Sequence, residues 1–237
     1  MAAENTAGGT ALAGAVIALD LDGTLVDTAH DLVGTLNWLL AGEGLAPLPL
    51  DEARPFIGRG ARWLIERGFQ AADATLAPEQ VQPLFERFIA RYEAHIADES
   101  RPFPGAVEAL ETLKVQGAKL CVCTNKLTGL STTLLDALDL SRLFDAVVGA
   151  DATPAIKPDP RHIEAAVAAC EGSMSRAIMV GDAATDAGAA RAARVPLVLV
   201  SFGYTEIPAR ELAPDVLIDR FDQLPEACVR LLGACEA

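Results

Sequence analysis

Short, unbroken apolar runs recur along this chain with helical stretches between them, and no other feature restricts its fold as strongly. The first is Ala15-Val16-Ile17-Ala18-Leu19. Lys119 to Cys123, Ala146 to Val148, Ala177 to Val180 and Leu197 to Val200 follow, with a weaker run at Val216 to Ile218. A run of this length without polar alternation fits a strand covered on both faces. Between the runs, Ala106 to Gln116, Gly129 to Leu138, Pro160 to Cys170 and Thr185 to Ala193 read as helices. Strands and helices in alternation predict an α/β fold, a parallel sheet wrapped by helices.

One region breaks the rhythm. From Asp31 to Ser100 the apolar residues recur at helical spacing with no convincing strand: Leu32, Leu36, Leu39 and Leu40, then Trp63 and Leu64, then Leu84, Phe85, Phe88, Ile89 and Tyr92. Arg101-Pro102-Phe103-Pro104-Gly105 then punctuates the return. The expected organisation is a core of residues 14–30 and 101–237 with a helical cap domain of residues 31–100 inserted after the first strand. Residues 1–13, small and polar, are expected to form a flexible leader.

The formal charge of −14 argues against nucleic acid or an anionic membrane as partner. No apolar stretch approaches the roughly 20 residues that span a bilayer. The five cysteines are irregularly spaced and odd in number, which suits a reducing compartment better than a disulfide framework. The expectation is a soluble cytoplasmic protein acting on a small anionic metabolite, as monomer or homodimer.

Polar residues of a specific kind follow three of the apolar runs. Asp20-Leu21-Asp22-Gly23-Thr24 follows the first, Thr124-Asn125 the second, and Gly181-Asp182 with Asp186 the fourth; Lys157-Pro158 precedes a helix. In open parallel sheets, ligands bind beyond the carboxyl ends of the strands, so these distant segments can converge. Asp20 is the candidate nucleophile, since a carboxylate can attack phosphorus. Asp22 is placed to protonate a leaving oxygen and then to activate water. Gly23 allows a sharp turn and frees an N–H for phosphate oxygens. Thr124 offers a hydroxyl and Asn125 amide donors. Lys157 is a compact cation able to hold both phosphate and nucleophile. Asp182 and Asp186 are hard oxygen donors suited to Mg²⁺. Four aspartates against one lysine leave a surplus of three negative charges, so a phosphate dianion is poorly received without a cation.

These residues together resemble the haloacid dehalogenase superfamily. Asp20 to Thr28 is similar to its first motif, Thr124-Asn125-Lys126 to its second, Lys157-Pro158 to its third, and Gly181-Asp182 through Asp186 to its fourth. The resemblance implies a Rossmann-like core, Mg²⁺ and an aspartyl-phosphate intermediate. It implies that the main-chain carbonyl of Asp22 joins Asp20 and Asp182 around the metal, beside the oxygen donor already read at Asp186. The second aspartate, Asp22, favours phosphate chemistry over carbon–halogen cleavage. Within the superfamily, Phe56-Ile57-Gly58-Arg59-Gly60-Ala61-Arg62-Trp63 resembles a cap stretch of the bacterial phosphoglycolate phosphatases. That implies a phosphomonoesterase acting on 2-phosphoglycolate, with Arg59 or Arg62 placed to pair with the substrate carboxylate. Four positions depart from the family pattern: Arg59 where a neutral polar residue is usual, Ala183 where serine is common, Thr185 where asparagine is frequent, and Arg194 where glycine often ends the helix. Another small phosphate such as a sugar phosphate, a phosphomutase outcome, and a non-enzymatic phosphate-binding role are the alternatives.

Overall fold

The computed structural model describes residues 11–234. Six parallel strands form one sheet: β1 (Val16–Leu19), β4 (Lys119–Cys123), β5 (Ala146–Val148), β6 (Ala177–Gly181), β7 (Leu197–Val200) and β8 (Val216–Ile218). Their order is β5-β4-β1-β6-β7-β8, so β1 lies between strands that run off to either side. The apolar runs are continuous because both faces of the sheet are covered. Ile17, Leu19, Leu120, Val122, Ile178 and Val180 face one hydrophobic cluster, with α5 (Ala106–Val115), α6 (Thr128–Ala137) and α9 (Leu224–Ala234) packed there. Val16, Ala18, Cys121, Cys123 and Met179 face the other, against α7 (Pro160–Ala169) and α8 (Ala184–Ala193). This is the period-two alternation of a strand read on two apolar faces.

The ordered core starts earlier than expected. Leu12 is fully buried and its N–H donates to the Gln116 carbonyl at 3.0 Å, so the chain is already part of the core before residue 14. The rest of the expected leader, residues 1–10, lies outside the described residues, as does Cys235.

Between β2 (Val26–Asp27) and β3 (Arg101–Pro102) lie four helices: α1 (Ala29–Gly42), α2 (Leu50–Ala53), α3 (Ala61–Ala71) and α4 (Pro78–Ala94). β2 and β3 pair antiparallel, binding the outgoing and returning chain at the root of the helical segment. Asp31 strengthens that root: its carboxylate accepts the N–H groups of Glu99 and Ser100 and the Ser100 hydroxyl. Leu36, Leu64, Phe88 and Tyr92 from these helices join the same cluster as Leu19 and Val122, so the helical segment packs down onto one face of the core.

Candidate active site

Register fixes where the polar residues fall. Leu19 lies opposite Val122 on one side and Val180 on the other, so Asp20, Thr124 and Asp182 emerge together at the carboxyl edge of the sheet. The Asp20 N–H is pinned to the Val180 carbonyl at 2.9 Å and the Thr124 N–H to that of Val148 at 3.1 Å. This is the crevice at the topological switch point, where open α/β sheets bind ligands.

Asp20 is 2 % exposed, and Lys157 Nζ lies 2.9 Å from its Oδ1. The same ammonium donates to Asp186 Oδ1 at 2.7 Å. Asp186 Oδ2 accepts the N–H groups of Asp182 and Ala183, which ties the start of α8 to the site. Asp182 in turn accepts the Thr24 hydroxyl at 2.7 Å on Oδ1 and the Tyr204 N–H at 2.8 Å on Oδ2. Asp20, Asp182 and Asp186 each present an oxygen within 4.8 Å of the others. Glycine is required three times around them: a Cβ at Gly181 would sit 2.3 Å from the Asp186 Cγ. Gly23 has φ +83°, and a Cβ there would sit 2.8 Å from Asp182 Oδ2; one at Gly203 would sit 2.1 Å from the Asp182 Cβ.

The electrostatics of this group are strained in one direction. Burial, only partly opposed by Lys157 and reinforced by Asp186, pushes the Asp20 carboxyl up to about 6. Burial, then Asp186 and Asp20, push Asp182 up to about 8. Burial alone pulls the Lys157 ammonium down, but Asp186 and Asp20 outweigh it and hold the group well above its usual range. Three buried carboxylates share one cation and are short of positive charge. Hard oxygen donors with surplus negative charge, held this close, fit a divalent cation such as those bound by carboxylates elsewhere.

Asp22 has a different setting. Its carboxylate accepts the Thr28 hydroxyl at 2.8 Å and meets the Lys126 ammonium at 2.9 and 3.1 Å. Lys126 also donates to the Tyr92 hydroxyl on α4 at 2.9 Å. Lys157 is one lysine of the site. Lys126 is a second, and with one divalent cation the four aspartates and two lysines sum to zero.

Asn125 departs from its expected part. Its side-chain N–H₂ is spent on the Gly58 and Lys157 carbonyls, and its Oδ1 accepts the Lys157 N–H. With both amide hydrogens used, it braces the Gly58 loop and the lysine instead of offering donors to a ligand. Thr124 is buried and lines the cavity, its Oγ1 accepting the Lys126 N–H. Arg59 lines the same cavity of about 410 Å³ from the cap side, exposed, with its guanidinium 4.2 Å from the Trp63 ring centroid. Arg62 lies over Phe85 and donates to Gln82.

The histidines lie outside the carboxylate group. His162 is buried, accepting the Lys157 N–H on Nδ1 at 3.2 Å with Nε2 against the Val148 carbonyl. It shapes the lysine's backbone. The Cys123 thiol, behind Asp20, is pushed up to about 12 by burial, which disfavours its thiolate. The Thr185 hydroxyl is buried without a hydrogen-bond partner.

Thr24, Thr28, Tyr92, Lys126 and Tyr204 were not singled out as site residues from sequence. Lys126 had a signal: a lysine directly after Thr124-Asn125 at the end of a buried strand has a built-in reason to face the carboxylates. Tyr204 had none, since its N–H and not its side chain serves Asp182.

A parallel core whose central strand ends in a buried aspartate, beside a lysine and a carboxylate pair, defines a class of hydrolase. The family model of the haloacid dehalogenase-like hydrolases matches residues 17–200, and the chain belongs to that family. Among curated relatives, a phosphoglycolate phosphatase of Caulobacter vibrioides is 62% identical over 226 residues, covering 95% of each chain. A phosphoglycolate phosphatase of Agrobacterium fabrum is 47% identical, covering 88% of this chain and 89% of its own. A solved structure described as a predicted phosphoglycolate phosphatase from Haemophilus somnus superimposes with a TM-score of 0.84 at 29% identity, covering 91% of this chain and 98% of that one.

Proposed function

We propose that this chain is a Mg²⁺-dependent phosphomonoesterase that hydrolyses 2-phosphoglycolate to glycolate and phosphate. The buried group of Asp20, Asp182, Asp186 and Lys157, of which Asp20 lines the cavity, is the observation that carries the chemistry. Relatives of the same name over nearly the whole chain support the substrate.

In this reading Asp20 attacks phosphorus and the bond to the glycolate oxygen breaks, with Asp22 giving that oxygen its proton. Water then attacks the phospho-Asp20, giving its proton to Asp22, and the bond from Asp20 to phosphorus breaks. Lys157 orients Asp20 and meets the phosphoryl oxygens, with Thr124 as a further donor; the Gly23 N–H, expected to serve phosphate, is instead spent on the Val26 carbonyl at 3.0 Å. Asp22 leaves Thr28 and Lys126 to reach the leaving oxygen. Asp20, the Asp22 main-chain carbonyl, Asp182 and Asp186 would hold Mg²⁺, which when bound supplies the missing positive charge against which the phosphate dianion can approach. Arg59, on the cap side of the cavity, adds positive charge over the ligand.

The test is phosphate release from 2-phosphoglycolate beside a panel of sugar phosphates and a bisphosphate sugar, with Mg²⁺ or EDTA, for wild type and Asp20→Asn. Mg²⁺-dependent release favouring 2-phosphoglycolate and absent in Asp20→Asn is the expected result. Release favouring a sugar phosphate would contradict the substrate. Transfer to sugar would contradict hydrolysis.

A further inference from the structure

Lys126 is buried, 8 % exposed, yet it lines the ligand cavity. Among the described residues its ammonium has one anionic partner, the carboxylate of Asp22. Tyr92 meets the same ammonium, with its hydroxyl 2.9 Å away and its ring centroid at 4.4 Å. When Asp22 turns to the leaving oxygen, it leaves this buried ammonium without a counter-ion. A buried charge stripped of its partner is strongly disfavoured.

We infer that the carboxylate of the substrate takes the place of Asp22 on Lys126, which makes Lys126 the residue that selects phosphate esters carrying a carboxylate next to the ester carbon. The inference rests on the proposed function and names the recognition of that same substrate. The geometry favours it on two counts. Asp22 must move from Lys126 to the ester oxygen, so those two points lie within the swing of one short side chain. In 2-phosphoglycolate one carbon separates the ester oxygen from the carboxylate, so the ligand spans a similarly short gap. An ester with a neutral tail leaves Lys126 unpaired once Asp22 departs. Arg59 is less suited to this part, being exposed and stacked on Trp63. Tyr92 stands on α4, so the cap side of the cavity aims the ammonium that the core supplies.

The experiment compares kcat/KM for 2-phosphoglycolate and for its neutral isostere 2-phosphoglycolamide, in wild type, Lys126→Met and Tyr92→Phe. Wild type is expected to favour the acid by roughly 100-fold, since a site built to pair a charged group rejects an analogue lacking it. Lys126→Met should cut that preference at least about tenfold, and Tyr92→Phe should cut it several-fold by loosening the ammonium. If Lys126 serves only to park Asp22, acid and amide fall together and the preference stays, which overturns the inference and leaves the proposed substrate standing. A wild type with no preference for the acid overturns both. Should Lys126→Met fail to fold, the preference in Tyr92→Phe decides: an unchanged value overturns the inference.

Discussion

Removing the divalent cation and varying pH tests the electrostatic account most searchingly. In the metal-free protein Asp182 is held at about 8 and Asp20 at about 6, both above the 3.8 of an unperturbed aspartate. A raised native value means that the folded chain binds more protons than the unfolded chain in that interval. Stability is then greatest at low pH and is lost as pH rises, through about 6 for Asp20 and about 8 for Asp182. Metal binding requires the carboxylates ionised, so it displaces whatever protons they hold. Near pH 7 that is about one proton, from Asp182. One displaced proton corresponds to about 1.4 kcal/mol per pH unit. The stabilisation given by saturating Mg²⁺ should therefore grow by roughly 2–3 kcal/mol between about pH 6 and 8, and level off above that. The assay is urea denaturation with Mg²⁺ and with EDTA at each pH, the difference cancelling titrations remote from the site. Calorimetric titration in buffers of unequal ionisation enthalpy counts the released proton independently. A stabilisation that is flat across this interval, or that grows as pH falls, refutes the reasoning.

Other outcomes follow from single contacts. Gly203→Ala places a Cβ 2.1 Å from that of Asp182, so it should weaken Mg²⁺ affinity and cost about 1–3 kcal/mol of stability; unchanged metal titration and denaturation would contradict this. Arg194 ends α8 at φ +57°, a left-handed position where a side chain is strained, so Arg194→Gly should stabilise the fold by about 1 kcal/mol in urea denaturation. His162 is held down to about 4 by burial and then by Lys157; its depressed native value makes it stabilising above about 6.5 and increasingly destabilising as pH falls toward 4, and His162→Gln should flatten that acid limb of the stability curve.

The sheet was legible because each strand is buried on both faces, so hydrophobicity alone marked Lys119 to Cys123 or Leu197 to Val200 to the residue. Asp20 and Asp182 were legible because chemistry-bearing side chains sat at strand ends, where the register of a parallel sheet brings them together; Lys157 was legible from its place just before a helix. The two-residue strands β2 and β3 were not, since Val26–Asp27 and Arg101–Pro102 are too short to show any period. Leu12 was hidden among small polar neighbours; only its packing reveals it as core. Asn125 was given the right place and the wrong job, because sequence shows that an amide has donors but not which carbonyls will claim them. Lys126 was passed over for a related reason: a lysine reads as solvated until the fold buries it between Asp22 and Tyr92.

The central claim is that the phosphoryl group passes through Asp20, and the configuration at phosphorus tests it directly. A chiral, isotopically labelled thiophosphate analogue of 2-phosphoglycolate, hydrolysed by the Mg²⁺-loaded enzyme in heavy-oxygen water, leaves a product whose configuration records the number of displacements. Two in-line displacements, onto Asp20 and then onto water, predict net retention. Net inversion would mean that water attacks the ester in a single step, and would contradict the account.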